Sequence, residues 1–144
     1  MILTTPYQAR DFEAPPVTPE TAPYWEAAAR GQLLLKCCEA CGAVHHYPRS
    51  LCPRCGSDRT SWKTSSGRGE VYAVSVTRRG TPVPYAMAYV RLEDGVTLMS
   101  NIVDCDLDAI RIGDLVEAVF VAAPGGRQPV PMFRPLASGD RRHD

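Results

Sequence analysis

The chain has 144 residues, 44% of them hydrophobic, and its 16 basic and 16 acidic residues give a formal charge of +0. That length allows one modest domain or two very small ones, and the apolar content excludes disorder as the default state. The missing basic surplus argues against a life on nucleic acid, where phosphate neutralisation supplies much of the affinity.

No stretch reaches the roughly 18 to 20 apolar residues that cross a bilayer, so no membrane partner is expected. The opening MILTTPYQARDFEAPP has no basic start followed by a long apolar run, which is not a secretory signal, and a cytoplasmic location is expected by default. In a reducing compartment, clustered cysteines are more often metal ligands than disulfides.

Residues 1–17 are dotted with proline and lack periodicity; they read as an extended arm ordered against a partner, or as a disordered tail. TPETAPYWEAAARG, residues 18–31, reads as a helix. Thr18 or Thr21 can cap it, proline is tolerated in its first turn, and Gly31 suits the position past its end. Tyr24, Ala27 and Ala28 share one face, with Trp25 beside them. So short a helix is marginal alone and must dock through Tyr24 and Trp25, on its own chain or, as the favoured reading, on another.

Residues 32–64 begin with QLLLK as a short strand and continue into the cysteine-rich segment. From residue 65 to 137 the texture is all-β, and 138–144 is left as a tail. GEVYAVSVTRR alternates, with Tyr72, Val74 and Val76 on one face and Val71, Ala73 and Ser75 on the other. PYAMAYVRLEDGVTLMSNIV reads as two strands joined at Asp94-Gly95, a strong hairpin turn signal. DLVEAVFVAA and VPMFRPL supply two more strands, after a short irregular DLDAIRIGD that turns at Gly113-Asp114. Five strands with one interruption suit a small barrel of the OB type, with a small sandwich as the alternative. The fold class expected is therefore mainly β: an N-terminal helix, a rubredoxin-like four-cysteine zinc ribbon, and a five-stranded OB-fold barrel.

The chemistry is densest in KCCEACGAVHHYPRSLCPRCGS. Cys38 and Cys41 form one C-x-x-C pair, and Cys52 and Cys55 form the second. Each pair makes a knuckle whose two thiolates converge on one ion, and two knuckles complete a closed tetrahedral site. Glycine follows each pair, at Gly42 and Gly56, where the chain must turn sharply. The expected cofactor is one structural zinc; iron in a rubredoxin-like site has the same ligand geometry. Cys37 is left as a neighbouring thiol, His45 and His46 as surface residues of the ribbon's hairpin, and Cys105 as a buried thiol near a strand end.

No other pattern carries catalysis well. There is no G-x-S-x-G elbow, phosphate-binding glycine loop or H-E-x-x-H. Glu93 and Asp94 sit at a hairpin turn as solvated charge, and Asp104, Asp106 and Asp108 lack the glycine and glutamate of an EF-hand. Arg78 and Arg79 end a strand before a proline-rich loop, where they can meet ligand phosphates or simply be exposed charge. The residues argue for a binding module more than for a self-sufficient enzyme.

YWEAAARGQLLLKC, the four-cysteine ribbon, SGRGEVYAVSVTRR, AYVRLEDGVTLMSNIVDCD, IRIGDLVEAVFV and VPMFRPL occur here in one order. In that order, over roughly residues 18–136, the chain resembles the family of zinc-ribbon OB-fold proteins long catalogued as a domain of unknown function and found beside thiolase-like genes. The resemblance implies a non-catalytic subunit that pairs with a thiolase-fold catalytic protein, in a hetero-oligomer such as a heterotetramer. It also implies acyl-CoA bound jointly with that partner, with the OB domain helping to close the CoA channel and the ribbon and leading helix making subunit contacts. The family's metal ligands correspond to Cys38, Cys41, Cys52 and Cys55. Two readings from other classes stand beside it: a single-stranded nucleic-acid-binding protein, which would need a basic groove interleaved with aromatics, and an enzyme acting through Cys105.

Overall fold

The structure, a computed structural model, describes residues 4–136, so the tail expected at 138–144 lies outside the described residues. One helix, α1 (Ala22–Ala29), is followed by β1 (Leu34–Cys38), β2 (Val44–His45) and β3 (Thr60–Thr64). These three strands form a small antiparallel sheet in the order β2-β1-β3. Then come β4 (Arg68–Thr77), β5 (Tyr85–Leu92), β6 (Thr97–Ile102), β7 (Leu115–Val121) and β8 (Val130–Pro135). They close into a barrel in the order β4-β5-β6-β8-β7, which excludes the sandwich. No helix among the described residues is long and apolar enough to cross a membrane.

β5 shows why these residues make a barrel wall. Ala86, Ala88, Val90 and Leu92 point inward and are buried, while Met87, Tyr89 and Arg91 alternate outward. Inside, they meet Val71, Leu98, Ile102, Val116 and Phe133, so a core of branched and aromatic side chains fills the space. The hairpin between β5 and β6 turns where expected, with the Gly95 amide donating to the Leu92 carbonyl at 2.9 Å.

β4 departs from strict alternation. Val71 pairs with Val90 and Ala73 with Tyr89, leaving Tyr72 as the extra residue of a β-bulge. One inserted residue flips the phase of the strand beyond it. Val71 therefore joins Val74 and Val76 in the core, and Tyr72 stands 53% exposed outside, against the expected grouping of Tyr72 with those valines.

The leading helix docks on its own chain. Tyr24 and Trp25 are each 4% exposed and belong to the same buried cluster as the barrel residues Val90 and Phe133. Thr21 takes the N-cap position without capping: its hydroxyl oxygen accepts from the Thr18 amide at 3.1 Å. The helix ends as the Gln32 amide turns back to the Ala27 carbonyl at 2.9 Å.

The described part of the arm is ordered against the barrel. The Tyr7 amide donates to the Cys105 carbonyl at 2.9 Å, and the Leu107 amide donates to that of Thr5 at 2.8 Å. Arg10 stacks 4.1 Å from the Tyr85 ring centroid, and the Gln128 side-chain amide donates to the Pro15 carbonyl at 2.6 Å. Tyr7, Arg10 and Phe12 lie beside Asn101, Ile102 and Met132. This is the seam where β6 and β8 share the single described pair Ile102–Phe133, so the arm covers the barrel's weakest joint.

Candidate metal centre

The ribbon sheet carries its two knuckles at the ends of short elements. Cys38 closes β1 and lies at the start of one turn; Cys52 starts the other. The Gly42 amide donates to the Cys38 carbonyl and the Gly56 amide to the Cys52 carbonyl, each at 2.8 Å. Both glycines hold φ near +80°, at +78° and +79°, a conformation that any side chain would strain. The Cys41 amide points at the Cys38 sulfur and the Arg54 amide at the Cys52 sulfur, each at 3.4 Å. Amides aimed at sulfur favour the thiolate that a metal needs.

The four sulfurs of Cys38, Cys41, Cys52 and Cys55 all lie within 4.8 Å of one another. Cys38 and Cys55 are 3.6 Å apart, and Cys41 and Cys52 are 3.7 Å apart. A tetrahedron with metal–sulfur bonds of about 2.3 Å has edges of about 3.8 Å, so the donors present fit zinc. Hydrogen bonding from the Cys41 amide brings the Cys38 thiol down to about 6. The Ser57 amide is the largest single influence on Cys55 and pulls it the same way, but the Cys38 sulfur, burial and the Cys41 and Cys52 sulfurs together outweigh it and lift the Cys55 thiol to about 11. Four crowded thiolates need a cation among them to share charge. A closed four-sulfur shell leaves no position for water or substrate.

Cys37 stays out of the cluster for a geometric reason. It precedes Cys38 in β1, and consecutive side chains of a strand leave opposite faces. Cys105 is half-buried among apolar neighbours, and burial followed by the charge of Asp106 pushes its thiol up to about 11. A thiol so protonated at neutral pH makes a poor nucleophile.

The histidines correct the expectation of surface residues. His45 is buried, and His46 is half-buried with its Nε2 3.0 Å from the Tyr24 hydroxyl. The Trp25 indole N–H donates to the Tyr47 hydroxyl at 2.8 Å. The Tyr24 and Trp25 rings meet edge to face at 4.9 Å, and Tyr24 meets Tyr47 likewise at 5.4 Å. The loop between the knuckles thus serves as the helix's clamp: two polar tips find partners and the rings fill the joint.

Asp94 is a second correction. It is not solvated charge; its side chain is 9% exposed, receives the Ser65 hydroxyl at 2.6 Å and pairs with Lys63 at 3.3 Å. These contacts fasten the end of β3 to the β5–β6 hairpin, so they fix the ribbon against the barrel. No motif marks Asp94, because its partners lie about thirty residues away in the chain.

The remaining candidates, Arg78 and Arg79, sit just past β4, away from any cysteine in the sequence. Arg78 forms an ion pair with Asp108, and Arg79 is exposed.

Residues 25–61 match the ChsH2 rubredoxin-like zinc ribbon domain and residues 62–121 match the ChsH2 C-terminal OB-fold domain. A DUF35 domain-containing scaffold protein of Methanothermobacter thermautotrophicus is 40% identical over 89 residues, covering 58% of this chain and 67% of that protein. A probable enoyl-CoA hydratase alpha subunit of Thermomonospora curvata is 32% identical over 125 residues, 84% of this chain. The chain spans 39% of that subunit's length. Among solved structures, the Ltp2-ChsH2(DUF35) aldolase matches with a TM-score of 0.72 and 32% identity, over 85% of this chain and 98% of that one. With two family domains side by side and the fold shared almost end to end with a relative, this chain belongs to the DUF35 family, of the ChsH2 zinc-ribbon and OB-fold kind.

Proposed function

We propose that this chain is the non-catalytic subunit of a thiolase-superfamily complex acting on acyl-CoA thioesters, as a thiolase, acyltransferase or retro-aldolase. It stabilises a thiolase-fold partner in a cytoplasmic hetero-oligomer and helps form the CoA channel. The observation that carries this reading is the match over 98% of a chain from an assembly described as an Ltp2-ChsH2(DUF35) aldolase. A relative described as an alpha subunit and another described as a scaffold protein agree with a role beside other chains.

Within the proposal each part has a task. Cys38, Cys41, Cys52 and Cys55 hold one structural zinc, which makes the ribbon rigid without performing chemistry. Arg79, with Arg78 beside it, meets the phosphates of CoA; guanidinium groups suit such oxyanions. The working division of the chain is an arm to residue 17, a helix to 31, a ribbon to 64 and an OB domain beyond it.

The test is purification of the tagged chain from its native cell, with identification of the co-eluting protein and a screen of CoA thioesters on the complex. A thiolase-superfamily partner and turnover by the complex are expected. A chain that elutes alone, or turns over a CoA thioester by itself, contradicts the proposal.

A further inference from the structure

The resemblance assigns subunit contacts to the leading helix and ribbon, but the helix's aromatic side chains are spent inside the chain. Apolar surface is exposed elsewhere. Of seven large apolar side chains exposed among the described residues, four gather on the outside of β4–β6: Tyr72, Met87, Tyr89 and Met99, at 53%, 40%, 49% and 56%. The register makes them neighbours. Tyr89 pairs directly with Met99 and with Ala73, the residue after Tyr72. Arg91 lies over the Tyr72 ring at 4.5 Å from its centroid. A barrel wall that faces water alternates apolar-in with polar-out. Here the outward positions of β5 from Tyr85 to Arg91 are instead tyrosine, methionine, tyrosine and arginine. Tyrosine, methionine and arginine are the side chains enriched at protein interfaces.

Met99 also lines a pocket of about 160 Å³ where the helix, ribbon and barrel meet. Tyr24, Trp25, His46, Tyr47 and Val130 are among the residues that form its other walls. Its volume suits a side chain more than a cofactor, because ligand pockets run to several hundred Å³.

We propose that this face docks the catalytic partner, with one apolar side chain of the partner entering the pocket beside Met99 and a partner carboxylate meeting Arg91. The proposal rests on the subunit reading above and assigns it a surface. Area decides between occupants. Four half-exposed side chains supply a few hundred Å² of apolar surface, the centre of a standard interface of about 800 Å² per partner. An obligate homodimer buries a larger and more apolar patch, so the occupant is a different chain that brings a polar rim.

The experiment places a photo-crosslinking residue, p-benzoylphenylalanine, at Tyr89, at Met99 and, for comparison, at Leu51 of the ribbon and Ile112 before β7, both also exposed. Each full-length variant is expressed in the native cell, irradiated, and its adducts identified by mass spectrometry. Adducts from positions 89 and 99 to a thiolase-superfamily chain, and none from 51 or 112, are expected. Adducts to that chain only from 51 or 112 overturn the docking surface while leaving the subunit reading intact. Adducts from 89 and 99 to a second copy of this chain, to nucleic acid, or to nothing also overturn it. Absence of any CoA-thioester enzyme from the unmodified purification defeats the subunit reading itself. In parallel, the double variant Tyr89→Asp, Met99→Asp should lower partner affinity by about 30-fold or more while Tyr89→Phe keeps it. Unchanged zinc content and melting temperature show that both variants fold.

Discussion

The barrel and the ribbon hold together by different means. Val71, Val90, Leu92, Ile102, Val116 and Phe133 fill the barrel and are at most 2% exposed. The ribbon has three strands, one of them two residues long, and of its own strand side chains only Leu35, Cys38 and His45 are buried. Apolar burial at about 25 cal/mol per Å² can carry the first region. The second is too small for that and needs the metal among its four sulfurs, together with the helix rings seated on its loop. One chain thus joins a region stabilised by solvent exclusion to a region stabilised by coordination, and the Asp94 contacts and the Tyr24–His46 and Trp25–Tyr47 bonds connect them.

Breaking the coordination should give the largest effect. Cys52→Ser removes one of four thiolates from a site that supplies on the order of 10 kcal/mol, so zinc should fall from about one per chain to near none, with loss of soluble expression or of partner association. Elemental analysis of the purified chain measures this; a metal-free variant that stays folded contradicts the structural role. Phe133→Ala strikes the other region. It should cost about 3 to 5 kcal/mol by chemical denaturation while leaving zinc content unchanged. Trp25→Phe tests the joint between them. It strips the indole N–H from the Tyr47 hydroxyl and should cost about 1 to 3 kcal/mol, with the ribbon losing amide protection before the barrel does.

A pH dependence tests the same joint. Burial, with the neighbouring charge of His45, holds the His46 imidazole down to about 4. An unfolded histidine titrates near about 6.5, so the folded state favours neutral His46. Its contribution is complete above about 6.5 and is lost as pH falls toward about 4. Acid also protonates zinc-bound thiolates, so the readout is a difference between two proteins. Between pH 7 and 4 the denaturation midpoint of His46→Gln should fall less steeply than that of the parent chain; parallel slopes would remove His46 from the account.

The legible parts of this molecule are those that local spacing determines. Two C-x-x-C pairs with glycine behind them announced four converging sulfurs, and Asp94-Gly95 announced the β5–β6 hairpin. What escaped depends on distance in the chain or on a single inserted residue. The bulge at Tyr72 is invisible to a period-two count, which needs the partner strand to show that Val71 faces Val90. Tyr24 and Trp25 look like docking residues because their partners, His46 and Tyr47, lie 22 residues away. The histidines looked exposed for the same reason, and Asp94 looked solvated without Ser65 beside it. The arm was legible as extended chain, yet nothing in its composition reveals the β6–β8 seam that it covers.

The most direct test of the division between coordination and burial is hydrogen exchange on the purified chain before and after zinc is removed by a chelator. Amides of β1–β3 and of the loop holding His46 and Tyr47 should lose protection while those of β4, β5 and β8 around Val71, Val90 and Phe133 keep it. A ribbon that stays protected without metal, or a barrel that opens together with it, would show that coordination does not hold the ribbon separately from the barrel.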